Sequence, residues 1–139
     1  MHGRRVSASG EVLDAADLVI IEAAGAQRSP TVAWDSYDFF VAWSDERGAL
    51  GFALRGAVVS PTGDITVPDL LLVDEREDEQ APAIAASGFG VSLIAYERFG
   101  FGGNIRAQRV CESEVTTWVR GSLDVVVDPG FGRVVSGDG

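Results

Sequence analysis

The chain has 139 residues, the size of one ordinary domain, and 46% of them are hydrophobic, so a folded core is expected. The formal net charge of −10 excludes a nucleic-acid binder, because such proteins need clustered positive charge. The absence of lysine excludes Schiff-base chemistry and a P-loop, and the single histidine and cysteine, His2 and Cys111, exclude a zinc cluster and an intrachain disulfide.

The sequence repeats itself about every 52 residues. Residues 55–65 repeat residues 3–12, and residues 106–110 begin the same pattern a third time. Three shorter matches lie between these: 69–73 with 17–21, 80–85 with 27–33, and 93–96 with 40–43. A fixed period of this length predicts stacked units of a few secondary-structure elements each.

Each repeat contains four short runs of strand-forming residues, separated by turn signals. The first predicted strand of a repeat is 31–34 or 83–86, and the second is 39–44 or 91–96. The third is 51–59 or 104–110, and the fourth is 18–22 or 70–73, with 123–127 as a further fourth strand. The first strand of each repeat follows a proline, and Ser60-Pro61-Thr62-Gly63 marks the turn after a third strand. No stretch has a sustained helical period, so the predicted class is all-β.

Four antiparallel strands per repeat is the format of a β-propeller blade. The predicted single structural domain consists of an N-terminal half-blade (3–22), a first blade (23–75), a second blade with a divergent C-terminal part (76–128) and a tail (129–139). Closed propellers have 4–8 blades. The prediction is therefore an incomplete propeller within one chain.

Two motifs carry a family resemblance: Gln-x-x-Pro or Gln-x-Pro before the first strand of a repeat, and the segment Val41-Ala42-Trp43-Ser44-Asp45-Glu46-Arg47. With them, residues 3 to about 110 resemble the propeller-like repeats of bacterial secreted and cell-surface proteins. The resemblance implies an extracellular or cell-surface location. The N-terminal residues do not have the pattern of a signal peptide, and no apolar run has the ~20 residues that a membrane span requires, so no membrane insertion is predicted.

An incomplete propeller leaves bare faces and strand edges, which favour aggregation unless they are covered. Three explanations are open: a homo-oligomer in which a neighbour finishes the half-blade, a piece of a longer propeller, or strands that pack as a small sandwich. The first two are preferred, so the expected partner is a second copy of the chain or the rest of a larger propeller.

Signals for catalysis are scarce, and no catalytic residue, metal site or cofactor is predicted. Asp45, Glu46 and Glu97 lie at turns, where a glycoside-cleaving role is conceivable, but carboxylates at such turns more often accept backbone N–H bonds and pair with an adjacent arginine. The acidic run 74–79 lacks the spacing of a calcium loop and is interpreted as a solvated loop.

The segment 98–103 is the best candidate for a binding loop, since two aromatics separated by glycine can stack on a sugar or a peptide. The alternative is that these aromatics pack over a blade edge. The complete set of ligand-binding candidates is Arg98, Phe99, Phe101, Trp43 and Tyr96.

The preferred function is a non-enzymatic binding or scaffolding module for a carbohydrate or a protein. The alternatives are a fragment of a propeller enzyme, such as a glycoside-acting hydrolase, and a truncated remnant without independent function.

Overall fold

The computed structural model describes residues 1–48, 50–75, 77–87, 90–100, 104–112, 118–123, 125–127 and 134–136. Every regular element in these ranges is a strand, which confirms the all-β prediction. The strands are β1 (His2–Gly3), β2 (Leu18–Val19), β3 (Gln27–Trp34), β4 (Phe39–Asp45), β5 (Ala53–Val59), β6 (Ile65–Val73), β7 (Asp78–Ala86), β8 (Val91–Phe99), β9 (Asn104–Glu112), β10 (Trp118–Leu123), β11 (Val125–Val127) and β12 (Val134–Ser136).

Two four-stranded antiparallel sheets form the body of the described chain. The first has the order β3-β4-β5-β6 and the second the order β7-β8-β9-β10, so each strand pairs with its neighbour in sequence. The predicted turn at Asp35 closes the first hairpin: the Asp35 carboxylate accepts the backbone N–H groups of Tyr37 and Asp38, both at 2.9 Å. Local turn chemistry thus sets where β3 ends and β4 begins.

The first strand of each sheet contains a bulge in front of a proline. The register shifts between Arg28 and Thr31 in β3 and between Gln80 and Ala83 in β7. Ser29 and Ala81, which precede the prolines, have φ values of 50° and 49°. The predicted starts of these strands after the proline are therefore wrong. Proline cannot donate to the ladder, but a bulge lets the strand continue beyond it.

The short pair β1–β2 has the geometry of β5–β6. The turn after β1 is closed by the bonds from Ser7 N–H to Glu11 C=O (2.8 Å) and from Gly10 N–H to Ser7 C=O (2.9 Å). The turn from β5 to β6 has the same two bonds, from Ser60 to Asp64 (2.8 Å) and from Gly63 to Ser60 (2.9 Å). Gly10 and Gly63 have φ values of 87° and 94°, a region in which glycine is at little cost.

The hydrophobic core lies on both faces of the first sheet. Because side chains alternate along a strand, Phe40 and Ala42 of β4 face the second sheet, whereas Val41 and Trp43 face β1–β2. The cluster between the two sheets consists of Phe40, Ala42, Leu54, Val58, Leu72, Val73, Ile94, Tyr96 and Val110. The described strands are therefore stacked in layers, with the first sheet between β1–β2 and the second sheet.

The predicted fourth strand at 123–127 is wrong. The fourth strand of the second sheet, which pairs with the other edge of β9, is β10, and it ends at Leu123. Residues 125–127 form β11, which pairs with β12 in a separate hairpin. The repeat pattern fades after Cys111, so it sets no register for this part of the chain.

Candidate functional site

The candidate site lies at the end of β8, where an arginine joins two carboxylates. Arg98 Nη1 lies 2.8 Å from Glu75 Oε2, and Arg98 Nε donates to Glu77. The bond from Arg98 holds the pKa of Glu77 below its usual range. The sequence predicted that Arg98 pairs with Glu97, but successive side chains on a strand point to opposite faces, and Arg98 reaches the segment before β7 instead.

The residue that follows Arg98 is an exposed aromatic. Phe99, the last residue of β8, has 50% of its surface exposed. By the same alternation, its side chain points to the face of the sheet opposite to that of Arg98. Phe101, the other aromatic of the predicted binding loop, lies outside the described residues.

The other two candidates are buried in different places. Trp43 has no exposed surface, and its indole N–H donates to Asp45 Oδ2 at 2.9 Å on the β1–β2 side of the first sheet. Tyr96 is 4% exposed in the cluster between the sheets, and burial raises its pKa to about 12. Arg98 and Phe99 are thus consecutive residues at the end of β8 with side chains on opposite faces of the sheet, and Trp43 lies in a different layer.

Glu79 is a residue that the sequence interpretation missed. It lies on β7 with no exposed surface, so it is not part of a solvated loop as predicted for the run 74–79. Its Oε1 has no hydrogen-bond partner among the described residues, and Oε2 accepts only a long bond (3.4 Å) from the backbone N–H of Glu75. Burial, with the nearby charges of Glu75 and Asp74, raises its pKa to about 7. No feature of the acidic segment 74–79 distinguishes Glu79 from the other carboxylates in the sequence.

A second charged cluster surrounds Asp45 at the end of β4. As predicted, Asp45 accepts the backbone N–H of Arg47 (3.0 Å) and forms an ion pair with its guanidinium (2.7 Å). Arg47 also contacts Asp69, which in turn contacts Arg55 at 3.1 Å. Burial opposes ionisation of Asp45, but the bonds from Arg47 and Trp43 outweigh it, so the pKa of Asp45 lies below its usual range. This carboxylate is held as an anion inside the protein.

Among the described residues, no group of three or more metal-ligating side chains is arranged to hold an ion. The described part of the chain also contains no helix with the length and apolar character to cross a membrane. Comparison with protein-family models, curated proteins and solved structures finds no match to this chain.

Proposed function

We propose that the chain is a non-enzymatic, propeller-type binding module that takes a carbohydrate ligand. Two four-stranded sheets with every strand next to its sequence neighbour, packed face to face, support the propeller arrangement. Because propellers host many functions, the argument for a ligand has to come from a surface and not from the architecture.

The observation that carries the proposal is the surface at the end of β8. Phe99 is half exposed on one face of the sheet, and the preceding residue, Arg98, binds Glu75 and Glu77 on the other face. An exposed aromatic surface is a common part of a small-ligand site. For a sugar, the ring would stack on the exposed face of Phe99.

The state of Asp45 supports a role without catalysis. A catalytic carboxylate has to reach the substrate, and Asp45 has no exposed surface. Its oxygens already accept bonds from Trp43 and Arg47. Asp45, one of the carboxylates considered for a glycoside-cleaving role, therefore has a structural role in these bonds.

The proposal is tested by measuring binding to a glycan array and then the affinity for the best glycan by calorimetry. We expect Phe99→Ala to weaken binding at least tenfold, because the stacking surface is lost. The matched control is Tyr37→Ala, which removes a 65% exposed aromatic from the β3–β4 turn and should leave the affinity unchanged. The proposal fails if no glycan binds, or if both variants bind as the parent does.

A further inference from the structure

An open apolar groove of about 700 Å³ lies between β1–β2 and the first sheet. Its walls include Leu18 of β2, Val32 and Trp34 of β3 and Phe39 of β4. Val32 and Trp34 are 60% and 46% exposed there. Ile84 has the corresponding position in the second sheet, because it pairs with Ile94 as Val32 pairs with Val41. Ile84 packs against the core cluster between the two sheets. The face of the first sheet that carries Val32 is therefore uncovered, whereas the corresponding face of the second sheet is covered by the first sheet.

The edge of β1 borders this groove. His2 and Gly3 pair with Val19 and Leu18, just as Arg55 and Gly56 of β5 pair with Leu71 and Leu70 of β6. In the first sheet, the other edge of β5 is occupied by β4. Within the described residues β1 pairs only with β2, so the strand position that corresponds to β4 is open beside it.

The hairpin β11–β12 has the features that would fill the groove and the open strand position beside β1. It follows β10 as β3–β4 follows β2 and as β7–β8 follows β6. Its two strands pair antiparallel with each other, and β11 lies against β9 of the second sheet. The segments are rich in valine: Val125-Val126-Val127 and Val134-Val135. The order β11-β12-β1-β2 would reproduce the order β3-β4-β5-β6.

The outer face of the second sheet is also uncovered. Leu93 and Ile105 are 41% and 42% exposed. The repeat aligns them with Phe40 and Leu54, which are 1% and 0% exposed beneath the second sheet. A further four-stranded sheet that includes β11 would cover this face, just as the second sheet covers the first.

We propose that the groove binds the β11–β12 hairpin of a second copy of this chain, with β12 adding to the open edge of β1. The two parts cannot meet in one chain, because β1–β2 and the second sheet, which carries β11, lie on opposite faces of the first sheet. Strand addition to an open edge supplies backbone hydrogen bonds, and the groove supplies apolar burial. The exchange is reciprocal, so each copy gives a hairpin and receives one.

Two copies close the arrangement within the ordinary size of a propeller. Each contributes two complete sheets, and the two exchanged junctions add two composite sheets, which makes six sheets in total and lies within the range of 4–8 blades. This inference rests on the propeller arrangement proposed above, but not on its ligand.

The test is the mass of the chain in solution by size-exclusion chromatography with light scattering. We expect twice the chain mass of 14.7 kDa. Val32→Arg places a charge in the groove and should give a folded monomer. The control Leu50→Arg changes a 68% exposed residue outside the groove and should stay dimeric. A monomeric parent chain, or a dimeric Val32→Arg, overturns the proposal.

A second variant identifies the occupant. Val135→Pro removes one backbone N–H donor from the middle of β12 and should also give a monomer, with circular dichroism used to check that it is folded. Mixed with Val32→Arg, it should form a dimer, because one copy retains the groove and the other retains the hairpin. A dimeric Val135→Pro would mean that two grooves pack on each other, and a mixture that stays monomeric would exclude the exchange. Either result overturns the proposal.

The measurements of mass and of glycan affinity test the two proposals independently. A dimer that binds no glycan overturns the proposed function and leaves the exchange in place. A monomer that binds a glycan through Phe99 overturns the exchange and leaves the function in place.

Discussion

Asp45 has no exposed surface, yet it carries a charge, and this is possible because its bonds replace water. Both oxygens accept bonds: Oδ1 from Arg47, and Oδ2 from Arg47 and the indole of Trp43. The Arg4–Asp17 pair has the same chemistry, but both of its side chains are about half exposed. Burial is therefore what separates a structural ion pair from a surface one in this chain.

We expect Asp45→Asn to lower the free energy of unfolding by about 3 kcal/mol, because it leaves the partly buried Arg47 without its closest counter-charge. Asp17→Asn, the matched control, should cost less than about 1 kcal/mol, since water screens the exposed pair. Urea unfolding followed by tryptophan fluorescence, at one protein concentration throughout, measures both. Equal losses in the two variants would contradict this account.

At the scale of single elements, the bulges in β3 and β7 are the least regular parts of the strands. Ala81 has a φ of 49°, a conformation that costs an L-residue about 1–2 kcal/mol. Its backbone N–H donates to Ser44 Oγ of the first sheet at 3.2 Å. The strained position therefore helps to connect the two sheets, and a glycine there would keep the bond.

We expect Ala81→Gly to leave the stability unchanged or to raise it by up to about 1 kcal/mol, because glycine removes the left-handed strain. Ala85→Gly, at an exposed position further along β7, should lower it by about 1 kcal/mol, since glycine there only adds chain entropy to the unfolded state. Thermal unfolding by circular dichroism compares the two variants. If Ala81→Gly loses as much stability as Ala85→Gly, the backbone at position 81 is not strained.

At the scale of the whole molecule, β7 connects the layers. Glu79 N–H donates to Phe52 C=O at 2.9 Å, and Phe52 N–H donates to Asp78 Oδ1 at 2.8 Å. The buried Glu79 carboxyl therefore lies on the strand that joins the two sheets, with Glu75, Asp74 and Arg98 as the charges nearest to it. Its protonation is coupled to the packing of these layers.

The pH dependence follows from the raised pKa of Glu79. Below its ordinary value of 4.5, the group is protonated whether the chain is folded or unfolded, so it costs nothing. As the pH rises from there to about 7, only the unfolded chain loses its proton readily, and stability falls by a total of about 3 kcal/mol.

We expect Glu79→Gln to match the parent chain at pH 4.5 and to be more stable by about 3 kcal/mol at pH 8, because the buried charge is removed. Urea unfolding at both pH values measures the difference, and Glu97→Gln, at an exposed position on β8, is the control that should show none of it. A pH-independent difference between Glu79→Gln and the parent would rule out the raised pKa.

The sequence by itself determined the class and most of the strand positions. The turn residues at 35–38 and 60–63 and the alternating apolar runs act locally, so the periodicity was enough to find β3 to β9. It also predicted the pairing of Asp45 with Arg47, since the two residues are close in the chain.

Only the tertiary structure decided which charges are buried and which faces are open. Glu79 and Glu77 look alike in the sequence, but one is enclosed between layers and the other pairs with Arg98 from a distant strand. The starts of β3 and β7, the position of β10 and the groove beside β1 depend on bulges, partner strands and sheet packing. These are contacts between residues far apart in the chain, and a local pattern does not encode them.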